Sequence, residues 1–309
     1  MIGIFSALTP VFLLILLGYV IRQRSLLPDE FWAPAEKMTY FVFFPALLLS
    51  NTAKAEFGDI DVMPMIVAST AGVTLVAIAT ALLHPFMKLQ GPAFTSVFQG
   101  TIRPNVYLGI AAAVALFGDE GLTRVSVCVA VIVPLVNLLS VIILLRHAGE
   151  TGKAPDWLQT LGMVARNPLI LACLGGTALN VGDVGLPPLI GPFLEILGRA
   201  SLPIGLLAVG AGLDLAAARR AHRWVSLTSA IKLLILPGLT YAFCLLMGVD
   251  QMTMVVTVMY ASLPVSATSY VLARQLGGDT SLLAGVITAT TIAAAITMPS
   301  IVALLDQTS

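Results

Sequence analysis

The sequence predicts an all-α polytopic membrane protein of ten transmembrane helices, built as a 5+5 inverted repeat with helices 4 and 9 broken. Three observations predict it. First, 58% of the 309 residues are hydrophobic and only 10% are charged, with a mean hydropathy of +0.97. A soluble domain carries about 25% charged residues. Second, the apolar residues gather into ten runs, near 3–21, 32–53, 62–83, 93–117, 121–145, 166–183, 189–214, 224–248, 252–273 and 280–305. Most of these approach the ~20 residues that cross a bilayer. Third, prolines recur at one offset in the two halves.

The first run begins at once, with no cationic segment before it, and Arg22 and Arg24 follow it. That order is expected of a first span rather than of a cleaved signal peptide. The first, third, fifth, seventh and ninth connections hold or adjoin Arg22, Arg24, Lys88, Arg146, Lys153, Arg166, Arg219, Arg220, Arg223 and Arg274. The opposite side has Lys54 and Arg124, and it carries the acids Glu56, Asp59, Asp61, Asp119, Glu120, Asp183, Asp250 and Asp306. Basic loops stay in the cytoplasm, so both termini are expected outside it and the 146–165 linker inside.

The repeat is written in proline. Pro10, Pro34 and Pro45 recur at Pro168, Pro192 and Pro203, each 158 residues on. Pro28 meets Pro187 at 159, and Pro104 meets Pro264 at 160. Leu27-Pro28 matches Leu186-Pro187, and the leucines after Pro45 match those after Pro203. Five spans per half make the second half enter from the opposite side. The halves are 1–145 and 166–309. Such inverted repeats characterise secondary transporters, whose sites lie near the midplane where matched spans are broken.

The broken spans are the fourth and the ninth. The fourth reads Gln99-Gly100-Thr101-Ile102-Arg103-Pro104-Asn105-Val106-Tyr107, and the ninth Tyr260-Ala-Ser262-Leu-Pro264-Val-Ser266-Ala-Thr268-Ser269. An arginine at mid-span costs roughly 2.5–3.5 kcal/mol on insertion scales. Proline removes a backbone hydrogen bond that lipid cannot replace. Broken helices expose positive amino ends that hold anions. Asn105 offers amide donors, Thr101, Tyr107, Ser266, Thr268 and Ser269 offer hydroxyls, and Arg103 offers a guanidinium fork suited to a carboxylate. Pro104 and Pro264 make the breaks. The expected substrate is a small organic anion. Arg103 has a second reading, as a structural partner, and Asn105 as a cap on its own helix.

Other polar groups inside the spans are fewer. Lys232 is read either as a group for proton coupling or as a side chain snorkelling to the surface. Asn51, Asn137, Thr290 and Thr291 are candidates for the cavity wall. Glu195 and Arg199 stand four apart and are expected to pair on one helix face. No acid lies deep at a span centre, which weighs against a carboxylate-centred sodium or proton site. Cys128, Cys173 and Cys244 lie far apart without metal-type spacing and are read as small core residues. No metal site, cofactor motif or catalytic pair is present, and no basic surplus suggests nucleic acid; the sixteen basic and sixteen acidic residues cancel. Two other classes remain as alternatives, a channel and a membrane receptor.

The run Arg103-x-Asn105-x-Tyr107-x-Gly109-Ile110-Ala111, with Leu116-Phe117-Gly118, resembles bacterial members of the auxin efflux carrier family. So do Asn167-Pro168, Pro203 through Gly210, Lys232 with Pro237, and Pro264 through Ala273. The resemblance implies a fold like that of sodium/proton antiporters and bile acid transporters. It implies a scaffold domain of spans 1, 2, 6 and 7 and a transport domain of spans 3–5 and 8–10, moving as an elevator. Plant members carry proline followed by asparagine at the crossover. Pro104-Asn105 matches that pair, so Asn105 is implied to contact the substrate carboxylate. Bacterial relatives are assigned to malonate, malate or similar dicarboxylates, and Arg103 would suit a second carboxylate. A homodimer and a location in the bacterial inner membrane are implied too. A sodium-coupled symporter of the bile-acid type is the competing form of carrier, and the coupling ion, proton or sodium, stays open.

Overall fold

The computed structural model describes residues 2–54, 62–148, 166–220 and 222–306. Most of the expected 146–165 linker, with Lys153, and the acids Glu56, Asp59 and Asp61 lie outside the described residues. The described secondary structure is helical, apart from one isolated bridge between Pro104 and Val265. The helices are α1 (Ile2–Gln23), α2 (Trp32–Met38), α3 (Phe44–Lys54), α4 (Val62–Met87), α5 (Gly91–Ile102), α6 (Val106–His147) and α7 (Pro168–Val181). After them come α8 (Ile190–Ala211), α9 (Leu215–Arg220), α10 (His222–Ala230), α11 (Leu236–Met247), α12 (Gln251–Ala261), α13 (Thr268–Leu276) and α14 (Thr280–Asp306). A π turn, Thr39–Phe43, joins α2 to α3, and another, Ile231–Ile235, joins α10 to α11.

Six helical stretches among the described residues are long and apolar enough to cross a membrane: α1, α4, α6, α8, α10 with α11, and α14. Their outward faces are apolar, as lipid requires. Leu13, Leu16 and Leu17 are exposed on α1, Leu75, Ile78 and Leu82 on α4, and Ile292 and Ile296 on α14. By contrast α5 has 12 residues and α12 has 11. At 1.5 Å per residue each rises about 16–18 Å, little more than half of the bilayer core.

The helix ends follow from local chemistry. Asn167 caps α7 by accepting from the amides of Leu169 and Ile170 at 3.0 and 3.4 Å, with Pro168 as the first helical residue. Asp250 caps α12 and Asp279 caps α14 in the same way. Such caps satisfy amides that have no partner within the helix. Gly118 interrupts α6 with φ +58° and ψ −141°, a conformation open essentially to glycine alone.

The chain gathers into two compact units. The first comprises Met1–Ile60, Val106–Ala130 and Ala165–Gly212. Within it, α1 lies backbone to backbone on α8. A Cβ at Gly18 would collide with the Leu207 carbonyl, and one at Gly210 with the Ile15 carbonyl. Small residues permit this approach where helices have no hydrophobic drive to associate. Glu195 takes Lys54 as its ion-pair partner, correcting the expected pairing with Arg199. The second unit comprises Asp61–Asn105, Val131–Val164 and Leu213–Ser309. Its core includes Val97, Val225, Val265, Ala273, Leu283 and Val286.

Candidate functional site

Two broken helices meet inside the second unit. The residue before a proline is pushed out of the helical region. Arg103 accordingly adopts φ −83° and ψ 113°. Its amide still closes the last turn of α5 on the Gln99 carbonyl at 3.0 Å, and the chain then leaves the helix. In the other element α12 stops at Ala261 and α13 starts at Thr268.

The groups freed by the two breaks satisfy one another. The Asn105 amide donates to the Pro264 carbonyl at 2.8 Å, and the Ser266 amide donates to the Arg103 carbonyl at 3.3 Å. Pro104 thus faces Val265 in an antiparallel bridge. Proline suits that position because the bridge asks nothing of its nitrogen. Thr290 of α14 completes the arrangement. Its hydroxyl accepts from the Val265 amide at 3.1 Å and donates to the Val286 carbonyl at 2.8 Å. Irregular backbone at membrane depth is tolerated only when held by protein or lining a cavity.

Side chains of opposite elements meet at the bridge. The Arg103 guanidinium donates through Nη2 to Thr268 Oγ1 at 3.2 Å. Ser266 Oγ and Thr268 Oγ1 are 2.8 Å apart, and Ser266 Oγ also accepts from the Thr268 amide at 3.4 Å. Asn105 is buried, and Arg103 is only 6% exposed. Ser269 is wholly buried.

Lys232 sits elsewhere in the same unit. It is 0% exposed, and its Nζ donates to the Ala261 carbonyl at 2.7 Å, at the carboxyl end of α12. The last carbonyls of a helix have no partner within it, and this donor satisfies one of them. Lys232 lines a cavity with room for about one water molecule, shared with Pro104, Ser69, Thr240, Thr257 and Tyr260. Buried and hydrogen-bonded inward, the side chain does not snorkel. The buried charged side chains of the described residues are all basic: Arg103, Arg124 and Lys232. Two of the three belong to this unit.

The structure brings Arg103, Pro104, Asn105, Pro264, Ser266, Thr268 and Thr290 together at the bridge. Thr101 is buried one turn back on α5, its hydroxyl donating to the Phe98 carbonyl at 2.8 Å and lying 3.5 Å from that of Thr80. Thr291 likewise donates to its own helix, at Ile287. Tyr107 belongs to the first unit, where its ring stacks on Phe44 with centroids 4.6 Å apart. Asn51 lies on α3 of that unit. Asn137 is half-buried on α6, on a different face from Ile132, the α6 residue that lines the Lys232 cavity. The hydroxyls around Lys232 and the amide of Gln99 were not singled out from the sequence. Their signal was present: Thr257 and Tyr260 stand three apart in an apolar run, and Gln99 stands one turn before Arg103.

The chain matches the model of a family described as membrane transport protein over residues 3–302. It is 23% identical over 292 residues to an uncharacterized transporter of Methanothermobacter thermautotrophicus, covering 94% of both chains. It is 24% identical over 296 residues to an uncharacterized transporter of Methanocaldococcus jannaschii, covering 91% of this chain and 92% of the relative. With these matches running almost from end to end over a helical, lipid-faced fold, the chain belongs to the membrane transport protein family of the auxin efflux carriers and is a membrane transporter.

Proposed function

We propose that the chain is a secondary carrier of small organic anions, carboxylates or dicarboxylates such as malonate or malate, bound at the paired breaks. One observation carries this reading. A buried arginine, two hydroxyls and the amino end of α13 converge where the helices stop. The buried guanidinium of Arg103 matches an anion. The carrier works as an elevator, the transport body shuttling the occupied site across a membrane spanned ten times as a 5+5 repeat. It resides in the cytoplasmic membrane with both termini outside the cytoplasm. A homodimer forms through the scaffold.

The sodium-coupled form of this carrier needs an inorganic cation at the carboxyl ends of the broken helices. Lys232 already donates a hydrogen bond to one of them, which favours a carrier that does not require sodium. The test is a thermal-shift and uptake series with mono- and dicarboxylates, with and without sodium. Ligand should stabilise the protein by mass action. Asn105→Ala and Arg103→Ala should each weaken binding by about tenfold or more, the usual cost of a lost charge-assisted hydrogen bond. Unchanged binding in both variants removes the site from the breaks.

A further inference from the structure

Gln99 is the least satisfied polar side chain in the second unit. It is 0% exposed, and both Oε1 and Nε2 are buried without a hydrogen-bond partner among the described residues. A buried amide without partners costs roughly 1–3 kcal/mol by mutational measures. Glutamine at a purely structural position in an apolar helix is therefore a poor choice beside leucine, and each such group asks for an explanation.

Its place on α5 says what it faces. Ser96, Gln99 and Arg103 stand three and four residues apart, on one side of the helix. Ser96 Oγ donates to the Asp279 carbonyl at 2.8 Å, just beyond the end of α13. Arg103 reaches Thr268 at the start of α13. Gln99 lies between these two anchors, so it addresses the seam between α5 and α13. A second unsatisfied group borders that seam. Ser269 is wholly buried, and its Oγ has no partner among the described residues. Ala273, one turn further along α13, is buried in the cluster that holds Val97 of α5 and Val265.

We infer that Gln99 and Ser269 form a polar subsite beside Arg103 that binds a neutral hydrogen-bonding group on the transported anion. The inference rests on the carboxylate reading above and adds its second point of recognition. An amide supplies donors and an acceptor, and a hydroxyl supplies one of each. The complementary ligand group also donates and accepts, as a hydroxyl on the carbon skeleton of a carboxylate does. A second carboxylate can only accept, so it would leave the Gln99 carbonyl oxygen unpaired. The subsite therefore separates hydroxylated acids from their deoxy counterparts. A site with buried hydrogen-bonding groups rejects an analogue that leaves them unpaired.

The experiment measures binding to the full-length purified protein by thermal shift and calorimetry with two matched pairs, malate against succinate and lactate against propionate. In at least one pair the unaltered protein should bind the hydroxylated acid roughly tenfold more tightly, the size of one buried hydrogen bond. Gln99→Leu and Ser269→Ala should each bring that ratio close to one while leaving affinity for the deoxy acid within about threefold. Gln99→Leu should also melt no lower than the unaltered protein without ligand, because leucine removes an unsatisfied group and fills similar volume. Asn105→Ala serves as the control and should lose both acids of the pair. A hydroxyl preference that survives in both Gln99→Leu and Ser269→Ala overturns the subsite while the carboxylate reading stands. Equal affinity for both members of each pair in the unaltered protein does the same. Failure of the unaltered protein to bind any of the four acids overturns the subsite, and failure to bind malonate as well overturns the carboxylate reading with it.

Discussion

Thr290 shows how much one hydroxyl holds at the bridge. It accepts from the Val265 amide, which otherwise has no carbonyl to meet because the break has taken it out of a helix. Thr290→Val keeps the shape and removes the acceptor. The variant should lose about 1–3 kcal/mol of stability, the cost of leaving a buried amide unpaired. A melting curve of the purified protein checks this, with Thr291→Val as the comparison. Thr291 donates only within its own helix, so that change should cost markedly less. Equal losses would mean that the hydroxyl of Thr290 does not support the bridge. Residue by residue, the breaks themselves were legible in the sequence. Proline has no amide hydrogen, and the residue before it avoids the helix, so Arg103-Pro104-Asn105 announced its own geometry. The partners were not legible. Nothing in the spacing says that Thr290, some 25 residues after Val265, supplies the missing acceptor, because that pairing depends on how α14 packs. Lys232 was ambiguous for the same reason. Whether a long side chain reaches water or a carbonyl is decided by its neighbours, here Ala261.

At the scale of elements, glycine sets how closely helices pack. Gly210 on α8 leaves no room for even a methyl group against the Ile15 carbonyl of α1. Gly210→Ala should therefore force the two helices apart, and overpacking of this kind costs about 1–3 kcal/mol. Gly238 on α11 is the contrast, since a Cβ there would meet nothing within 4 Å. Gly238→Ala should hold or raise stability, by up to about 1 kcal/mol from helix propensity. Melting temperatures of the two variants in detergent test the pair. A Gly210→Ala protein as stable as the unaltered chain would show that the α1–α8 contact yields at little cost. Apolar runs in the sequence locate helices well but count them poorly where a helix is interrupted. The run at 93–117 becomes α5, a three-residue break and the start of α6, and the run at 252–273 becomes α12, a longer break and α13. Length alone sees neither as one span. The Gly118 interruption inside α6 is likewise hidden, because hydropathy does not register a change of φ.

At the scale of the whole molecule, orientation follows from charge, and the sequence makes one strong statement. Ten lysines and arginines border the odd-numbered connections, whereas only Lys54 and Arg124 stand on the other side. Of those two, Lys54 is paired with Glu195 and Arg124 with Glu120, as Arg22 on the basic side is with Asp29. Translocation reads such bias over short loops and keeps the basic side in the cytoplasm. The ten spans proposed above would return the chain to the side on which it began. A reporter that is active only outside the cytoplasm should therefore work when fused after Ser309, and one that folds only in the cytoplasm should work when inserted in the 149–165 segment. Adding four lysines after residue 306 should lower the first signal, because it places positive charge where the bias forbids it. A C-terminal reporter that works only in the cytoplasm would require an odd number of crossings or a reversed first helix. Either result would break the antisymmetry of the two halves. With it would go the reason for treating Pro104 and Pro264 as counterparts in one site, leaving the bridge as a local accident of two kinked helices.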